Sequence, residues 1–300
     1  MAAVSTTAAE GAALGRARGG ERSAKSLVFL VALWLSLFLA FAFLVVLIVT
    51  TLIDGLPRLD ATLFTNYTSS FAERAGARAA ILGSLMVVGF CALLAVPLGV
   101  GAAIHLEEFA DRHRWYNRLF ELNIQNLAAV PSIIYGMLAL GLLAATGVAN
   151  KNIVIGGSIA LALLILPVII ITTRESLRSV PAEIREGSLA LGATEWQTVW
   201  RQTLPAAVPG IATGTIIALS RAIGEAAPLL LLGGLVFVTY DPNGLLSGFT
   251  TLPIQIFNWV GLPQADFKVV ASAAIIVLLA ILLAMNGLAI YIRNHFQRRW

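Results

Sequence analysis

Residues 27–53 read LVFLVALWLSLFLAFAFLVVLIVTTLI, a run without a charged residue. A helix needs about 20 apolar residues to cross the hydrocarbon core of a bilayer, and this run is longer than that. It is also longer than the apolar region of a secretory signal peptide, which has about 7–15 residues. We therefore predict an uncleaved transmembrane helix, and with it an integral membrane protein.

The composition of the whole chain also indicates a membrane protein. Of its 300 residues, 58% are hydrophobic and only 12% are charged, whereas soluble domains carry about 25% charged residues. Five further apolar runs could cross a bilayer: residues 79–105, 119–146, 153–173, 208–238 and 269–292. We predict an all-α integral membrane fold with about six transmembrane helices. Residues 27–300 would form one transmembrane domain, and residues 1–26 a disordered cytoplasmic tail.

Four prolines fall inside these runs. A membrane helix tolerates proline where neighbouring groups satisfy the freed backbone carbonyls. We therefore expect kinks, and no loss of the spans, at Pro97, Pro131, Pro167 and Pro228.

The distribution of positive charge predicts the orientation of the chain. With a cytoplasmic N-terminus, 14 lysines and arginines fall on the cytoplasmic side and 5 outside, with Arg221 left within a span. This excess follows the positive-inside rule, so both termini are predicted to be cytoplasmic. The net charge of +4 then reflects topology and contact with anionic lipid, and no nucleic acid is expected as a partner. With one cysteine, Cys91, and three unclustered histidines, no disulfide or metal site is predicted.

The longest internal cytoplasmic segment, residues 174–207, has the pattern of two helices joined by a turn. Ser179 is placed to cap the first helix, and Gly192 is placed to end it. Thr194 and Gln197 have the spacing of a capping box that begins the second helix. We therefore predict a helical hairpin between the fourth and fifth spans.

The second helix of this hairpin carries Trp196 and Trp200 one turn apart, and Pro205 is expected to stop it. Two tryptophans at this spacing form a compact aromatic patch of the kind that anchors interfaces. The hairpin is therefore either a docking element for a cytoplasmic partner or an amphipathic hairpin on the membrane surface. A DNA-reading helix-turn-helix is disfavoured because both ends are held by membrane spans.

The same segment resembles the EAA loop of the permease subunits of binding-protein-dependent importers. Glu186-Gly187-Ser188 stands in place of Glu-Ala-Ala, and Gly192 and Leu204-Pro205 follow at the family's spacing. Two alanines are replaced by Gly187 and Ser188, and Gln202 stands where isoleucine is usual. The resemblance implies a type I importer permease architecture, in which this loop docks into a cleft of a separate ATPase subunit. The expected coupling residues are Glu186, Gly192, Trp196, Trp200, Leu204 and Pro205.

The chain itself has no ATP-binding motif. A Walker A loop requires Gly-Lys-Ser/Thr, and none of the three lysines, Lys25, Lys151 and Lys268, follows a glycine. We therefore predict that the chain is not an enzyme, has no catalytic residue and holds no cofactor. ATP and Mg²⁺ would be bound by the partner subunit.

A charged pair interrupts the fifth apolar run. Arg221 lies near the middle of residues 208–238, where a charge costs about 2.5–3.5 kcal/mol on insertion scales. Glu225 follows four residues later, so both side chains can share a helix face. The pair is either an internal ion pair or part of a polar pathway. In a pathway, Arg221 would bind a tetrahedral oxyanion, and Glu225 would accept the proton that phosphate retains and sulfate lacks.

Two segments resemble the phosphate-specific permeases of this importer family. Residues 220–230 read SRAIGEAAPLL, and residues 126–136 read NLAAVPSIIYG. The run after Glu225 is similar to the A-type subunit (PstA), one of two homologous permeases that pair in the family. The resemblance extends over nearly the whole chain after about residue 70. It implies a substrate pathway that includes Arg221, Glu225, Ser220, Asn126 and Ser132.

The resemblance also implies partners. They are a second permease (PstC-like), a dimer of ATP-binding subunits (PstB-like), an extracytoplasmic phosphate-binding protein (PstS-like), inorganic phosphate, and the lipid bilayer of the bacterial cytoplasmic (inner) membrane. Residues 239–267 are expected to face the binding protein.

Other functions are compatible with parts of this pattern. A permease for another oxyanion or small solute would carry the same loop. A proton-coupled secondary transporter, with Glu225 as proton carrier, would leave the hairpin unexplained. A membrane-embedded enzyme fits least, because neither His-Glu-x-x-His nor Gly-x-Ser-x-Gly occurs.

Overall fold

The computed structural model describes residues 24–111, 114–148, 150–234 and 237–296, and helices dominate these ranges. The helices are α1 (Ala24–Gly55), α2 (Ala61–Thr65), α3 (Arg78–Ile104), α4 (Trp115–Ala128), α5 (Ser132–Ala145), α6 (Val154–Arg178), α7 (Ala182–Ala190), α8 (Glu195–Thr198), α9 (Leu204–Gly224), α10 (Ala227–Leu231), α11 (Leu252–Gly261) and α12 (Ala265–Phe296). A π-helical turn, His105–Phe109, continues α3, and another, Val199–Thr203, joins α8 to α9. The predicted disordered tail lies outside the described residues, except that residues 24–26 begin α1.

The chain divides into two compact units, residues 1–50 and 51–300. The described part of the first unit is helical and belongs to α1, which is 32 residues long and contains the predicted first span. Its apolar side chains, such as Phe29, Trp34 and Phe43, are exposed. Exposed apolar side chains are expected on a helix whose solvent is lipid.

Five helical stretches in the described part of the chain are long and apolar enough to cross a membrane, and a bent helix pair makes a sixth if its two halves form one broken span. The five stretches are residues 26–58, 78–109, 154–178, 195–224 and 265–291. The predicted all-α fold with about six transmembrane helices is confirmed.

The third predicted span, residues 119–146, is not one continuous helix. It consists of α4 and α5, which are bent by 112° across residues 129–131. Pro131 explains the break, because it has no backbone N–H to donate and disfavours helical geometry at the residue before it. The structure therefore has a break of 112° between two separate helices at the position where a kink in one helix was expected.

The fifth predicted span, residues 208–238, is too long at its C-terminal end. Helix α9 ends at Gly224, and Glu225 has extended backbone angles of φ −84° and ψ 119°. Pro228 explains this end, because a proline ring clashes with the carbonyl four residues earlier, which here belongs to Gly224. Pro228 instead occupies the first turn of α10, which has only five residues. Arg221 thus lies in the last turn of a helix and not at the middle of one.

Helix α6 lies in the core of the second unit, where small residues allow close contacts. The Ser158 hydroxyl of α6 donates to the carbonyl of Val87 in α3 at 3.1 Å. A Cβ added at Gly157 would lie 2.9 Å from the ring of Phe249. Close approach through glycine and serine is typical of helix packing in membranes.

The predicted external segment, residues 239–267, is built into this core. The backbone N–H of Leu252, at the start of α11, donates to the Ser84 hydroxyl of α3 at 2.8 Å. Trp259 of α11 is only 1% exposed, and burying a large apolar side chain contributes about 1.5–3 kcal/mol. The segment therefore stabilises the helix bundle as well as covering one end of it.

Candidate functional site

The ion pair predicted from the sequence is present in the structure. Arg221 Nε lies 3.6 Å from Glu225 Oε1. Arg221 occupies the last turn of α9, and Glu225 is the first residue beyond that helix. The pair therefore bridges a helix end, where backbone and side chains are both accessible.

Both members of this pair are open to their surroundings. The Arg221 side chain is 44% exposed, and the Glu225 side chain is 22% exposed. A charged side chain within a membrane segment faces a protein interior or a water-filled cavity, because lipid contact is too costly. The exposed surface at Arg221 is therefore expected to face water or another protein and not lipid.

Tyr135 connects this pair to the break between α4 and α5. Its hydroxyl donates to the carbonyl of Leu127 at 2.5 Å. Pro131 cannot supply the regular helical donor to this carbonyl, which also accepts from the backbone N–H of Val130 at 3.1 Å. The hydroxyl also interacts electrostatically with Arg221. Tyr135 thus adds a second hydrogen bond to the interrupted backbone of one span, within electrostatic range of Arg221 in another.

Gly136 brings the two interrupted regions into direct contact. A Cβ at this position would lie 2.5 Å from the carbonyl oxygen of Pro228 and 2.9 Å from its Cα. Only glycine allows the first turns of α5 to approach α10 so closely. The break at residues 129–131 and the end of α9 therefore belong to one region of the molecule.

The remaining predicted pathway residues occupy different environments. Ser220 is half-buried, and its hydroxyl bonds to the carbonyl of Ile216 at 2.7 Å and to Asn286 Oδ1 of α12 at 2.6 Å. Asn126 is exposed in the last turn of α4, and Ser132 is half-buried at the first position of α5. Ser220 thus bonds to α12, whereas Asn126 and Ser132 flank the helix break.

The turn of the predicted hairpin has the expected caps. Gly192 follows the end of α7 with φ +84°, a conformation that favours glycine. The N–H of Gly192 donates to the carbonyl of Leu189, and the N–H of Ala193 donates to that of Ser188, which is a Schellman motif. Thr194 and Gln197 form the predicted capping box.

Two predicted boundaries of the hairpin are wrong. Ser179 does not cap α7; it follows α6, and its hydroxyl donates to the carbonyl of Ser176 at 2.7 Å. Pro205 does not stop the second helix, because the chain remains helical through residues 195–224. The π turn at residues 199–203 widens the helix just before Pro205, where the ring would otherwise clash with a carbonyl. The hairpin is therefore continuous with α9.

The aromatic patch of the hairpin is larger than predicted. The rings of Trp196 and Trp200 are 5.3 Å apart, and Phe109 lies 5.7 Å from Trp196. Trp196 is 60% exposed and Trp200 is 46% exposed. Together with α3, the two tryptophans line an apolar groove of about 510 Å³.

The tip of the hairpin carries an apolar residue that the sequence pattern did not reveal. Leu191 is 91% exposed, directly before Gly192. It lines a groove of about 450 Å³ between α7 and the second helix, together with Glu183 and Gln197. Glu186 is exposed on α7. The tip of the hairpin therefore presents an apolar side chain beside an open groove.

A cluster of charged side chains beneath the hairpin was also missed. Glu107 forms ion pairs with Arg174 and Arg178, and Glu108 forms one with Arg185. From the sequence alone, these arginines were interpreted only as positive charge on the cytoplasmic side of the membrane. Their partners are 67 to 77 residues away, so no local pattern indicated the pairing.

The residues that the structure describes contain no group of three or more histidine, cysteine, aspartate or glutamate side chains arranged to hold a metal ion. The predicted absence of a metal site stays a prediction for the whole chain.

Comparison with known proteins gives a consistent result. Residues 95–300 match the family described as "Binding-protein-dependent transport system inner membrane component". The chain is 31% identical over 269 residues to the phosphate transport system permease protein PstA of Haemophilus influenzae, a match that covers 89% of this chain and 92% of that protein. It is 34% identical over 221 residues to the phosphate transport system permease protein PstA 1 of Mycobacterium tuberculosis, covering 73% and 71%.

A solved structure supports the fold. A chain of the MetNI methionine ABC transporter, in an inward facing conformation, superimposes with a TM-score of 0.58 at 18% identity. The match covers 74% of this chain and 96% of that chain.

Proposed function

The chain belongs to the family of binding-protein-dependent transport system inner membrane components, and we propose that it is the permease subunit of an ATP-driven phosphate importer. The observation that carries this proposal is the exposed Arg221–Glu225 pair at the end of α9. A membrane protein keeps an exposed charge within a span only where water, a substrate or a partner covers it. The relatives named phosphate transport permeases direct the proposal to phosphate.

The chemistry of the pair suits phosphate better than sulfate. The guanidinium of Arg221 is a planar fork with five N–H donors, which matches the oxygens of a tetrahedral oxyanion. Phosphate near neutral pH still carries a proton, which the Glu225 carboxylate can accept in a hydrogen bond. Sulfate has no such proton, so the same carboxylate repels it. The pair thus both attracts an oxyanion and selects among oxyanions.

The subunit would work in a complex. The partners are a second permease (PstC-like), which would cover the exposed surface at Arg221, and a dimer of ATP-binding subunits (PstB-like), which would receive the tip of the hairpin. A phosphate-binding protein (PstS-like) would deliver the substrate from the other side. ATP and Mg²⁺ would bind to the ATPase subunits, and this chain would contribute no catalytic residue or cofactor.

The orientation follows from the charges. The excess of lysine and arginine supports an orientation with both termini and the hairpin in the cytoplasm, and with the complex in the inner membrane of a bacterium. The exposed Leu191, Trp196 and Glu186 then face the compartment that supplies ATP. This arrangement lets a cytoplasmic ATPase act on the helices that carry Arg221.

The test is radiolabelled phosphate uptake by cells that depend on this subunit, with sulfate uptake measured in parallel. Removing one partner of a close charge pair costs about 2–5 kcal/mol of binding, so Arg221→Ala is expected to reduce uptake at low phosphate at least about tenfold. Glu225→Gln is expected to reduce the discrimination against sulfate. Arg114→Ala is the matched control, because Arg114 forms an exposed ion pair with Asp111, worth about 0–1 kcal/mol.

Three results would contradict the proposal. Normal phosphate uptake by Arg221→Ala would reduce the pair to a structural ion pair. Unchanged selectivity in Glu225→Gln would remove the role of the carboxylate. Normal phosphate uptake by cells that lack this subunit and any redundant system would remove phosphate as the substrate.

A further inference from the structure

Helix α7 is attached to the bundle by both apolar and polar contacts. None of its side chains is fully buried, but Ile184 is half-buried and packs against the apolar cluster that includes Leu177. Arg185 adds polar contacts: it donates from Nη1 to the carbonyl of Val180 at 3.0 Å and from Nη2 to that of Leu177 at 2.7 Å. Nη2 also donates to Glu108 Oε1 at 2.8 Å. One side chain therefore ties α7 both to the end of α6 and to the π turn that continues α3.

The adjacent Glu107 adds a second link to α6 and, through Arg174, a link to α4. Its side chain is only 2% exposed. It accepts hydrogen bonds from Arg174 Nε at 3.1 Å and from Arg178 Nε at 2.8 Å, both on α6. Arg174 Nη2 also lies 3.1 Å from Glu121 Oε1 of α4. A carboxylate this deeply buried cannot lose its partners without a large desolvation penalty, so these groups are constrained to move together.

The π turn at His105–Phe109 carries both glutamates of this double attachment. It presents two consecutive glutamates to different partners, Glu107 to α6 and Glu108 to α7. A regular helix directs neighbouring side chains about 100° apart, and a π turn alters that spacing locally. Such turns occur often at functional sites.

We propose that this charge cluster, Glu107, Glu108, Arg174, Arg178 and Arg185, transmits movement of α7 to the membrane helices. The inference rests on the proposed docking of the hairpin on an ATPase. Beside the apolar contact of Ile184, the Arg185–Glu108 ion pair links α7 directly to the π turn that continues α3, so a force on α7 reaches α3 through it. Glu107 then carries the displacement to α6 and α4.

The route continues toward the proposed pathway through α4. This helix ends at the break whose Leu127 carbonyl bonds to Tyr135, and Tyr135 interacts with Arg221. The steps between helices are an ion pair from Arg174 to Glu121 and a hydrogen bond from Tyr135 to Leu127, and the last step, to Arg221, is electrostatic. The cluster residues are positioning residues: they touch neither the substrate nor ATP.

The test compares transport with ATP hydrolysis in the complete complex reconstituted in proteoliposomes with its binding protein. Glu108→Gln and Arg185→Gln are expected to keep ATP hydrolysis, whereas phosphate transported per ATP falls about threefold to tenfold, the size of coupling changes seen for such residues. Arg185→Lys, which can still pair with Glu108, is expected to recover part of the ratio. Asp111→Asn, which weakens the exposed pair with Arg114, is the control and is expected to leave the ratio of phosphate transported to ATP hydrolysed unchanged.

The double variant Glu108→Gln with Arg185→Gln adds a second criterion. Because both changes remove one contact, the double variant is expected to be no worse than Arg185→Gln alone. Equal losses of hydrolysis and uptake, with an unchanged ratio, would mean that the cluster only stabilises the fold. Fully additive losses would also overturn the proposal.

A labelling experiment separates this inference from the proposed function. A cysteine replacing Asn123, exposed on α4, reports movement of that helix through its reaction rate with a thiol reagent, because native Cys91 is buried and unreactive. ATP is expected to change this rate, and Glu108→Gln is expected to abolish the change while hydrolysis continues. A response that persists in Glu108→Gln overturns the linkage. Absence of phosphate uptake by the unmodified complex, with the labelling response intact, overturns only the phosphate assignment.

Discussion

One methyl group added at Gly83 is expected to destabilise the second unit, whereas the same change at Gly89 in the same helix is not. A Cβ at Gly83 would overlap the carbonyl oxygen of Thr250 and lie 3.2 Å from its carbonyl carbon. Around Gly89 there is open space within 4 Å. The Thr250 backbone cannot easily retreat, because the N–H of Leu252 is bonded to the hydroxyl of Ser84, next to Gly83.

The size of the effect follows from the difference between the two positions. Glycine in a helix is less favourable than alanine by about 0.5–1 kcal/mol, and both variants gain this term, so it cancels in the comparison. The remaining difference is the overpacking at Gly83, which costs about 1–3 kcal/mol. At about 2–4 °C per kcal/mol for a unit of this size, Gly83→Ala is expected to melt about 2–12 °C below Gly89→Ala.

The assay is thermal unfolding of the two variants and the unmodified protein, purified in the same detergent and checked for a single species by size-exclusion chromatography. Gly89→Ala is expected to melt at or slightly above the unmodified protein. Equal melting temperatures for the two variants would refute the close packing of α3 against residues 239–267.

Two further predictions concern the hairpin. Gly192→Ala is expected to destabilise the purified chain by about 1–2 kcal/mol, because the left-handed conformation at φ +84° is costly for residues with a Cβ. Gly187→Ala, in open space on α7, is the control. A gain of stability at both positions would contradict the left-handed conformation of the turn at Gly192. Leu191→Asp is expected to leave thermal unfolding unchanged and to weaken binding of the ATP-binding subunit at least about tenfold, as the loss of an apolar hot spot does. Leu246→Asp, which is 73% exposed in the predicted external segment, is its control, and equal binding by both variants would exclude Leu191 from the interface.

Local features of the fold could be predicted from the sequence. The capping box at Thr194 and the glycine at position 192 depend only on residues a few positions apart, and each span needs only a long apolar run. The break at residues 129–131 and the early end of α9 could not be predicted in the same way. Hydropathy remains high across both, and it does not report the direction of the backbone.

The same limit applies to the candidate functional site, where contacts between residues near in sequence could be predicted and contacts between distant residues could not. The Arg221–Glu225 pair was predictable because its members are four residues apart and out of place in an apolar run. The Glu107 cluster was not, because its members come from distant parts of the chain and each arginine alone fits the positive-inside rule. Pro205 was misread because a proline ends a regular helix but can be accommodated where a π turn precedes it.

The two helix breaks themselves bear on where a substrate passes. Irregular backbone at membrane depth is tolerated only where it is buried in protein or lines a water-filled cavity. The break before Ser132 and the end of α9 at Gly224 lie in one region, joined by the contact of Gly136 with the Pro228 carbonyl. Arg221 is exposed in that region, and neither its charge nor the interrupted backbone can face lipid. Both constraints therefore favour placing the pathway along this surface, with the second permease as its opposite wall.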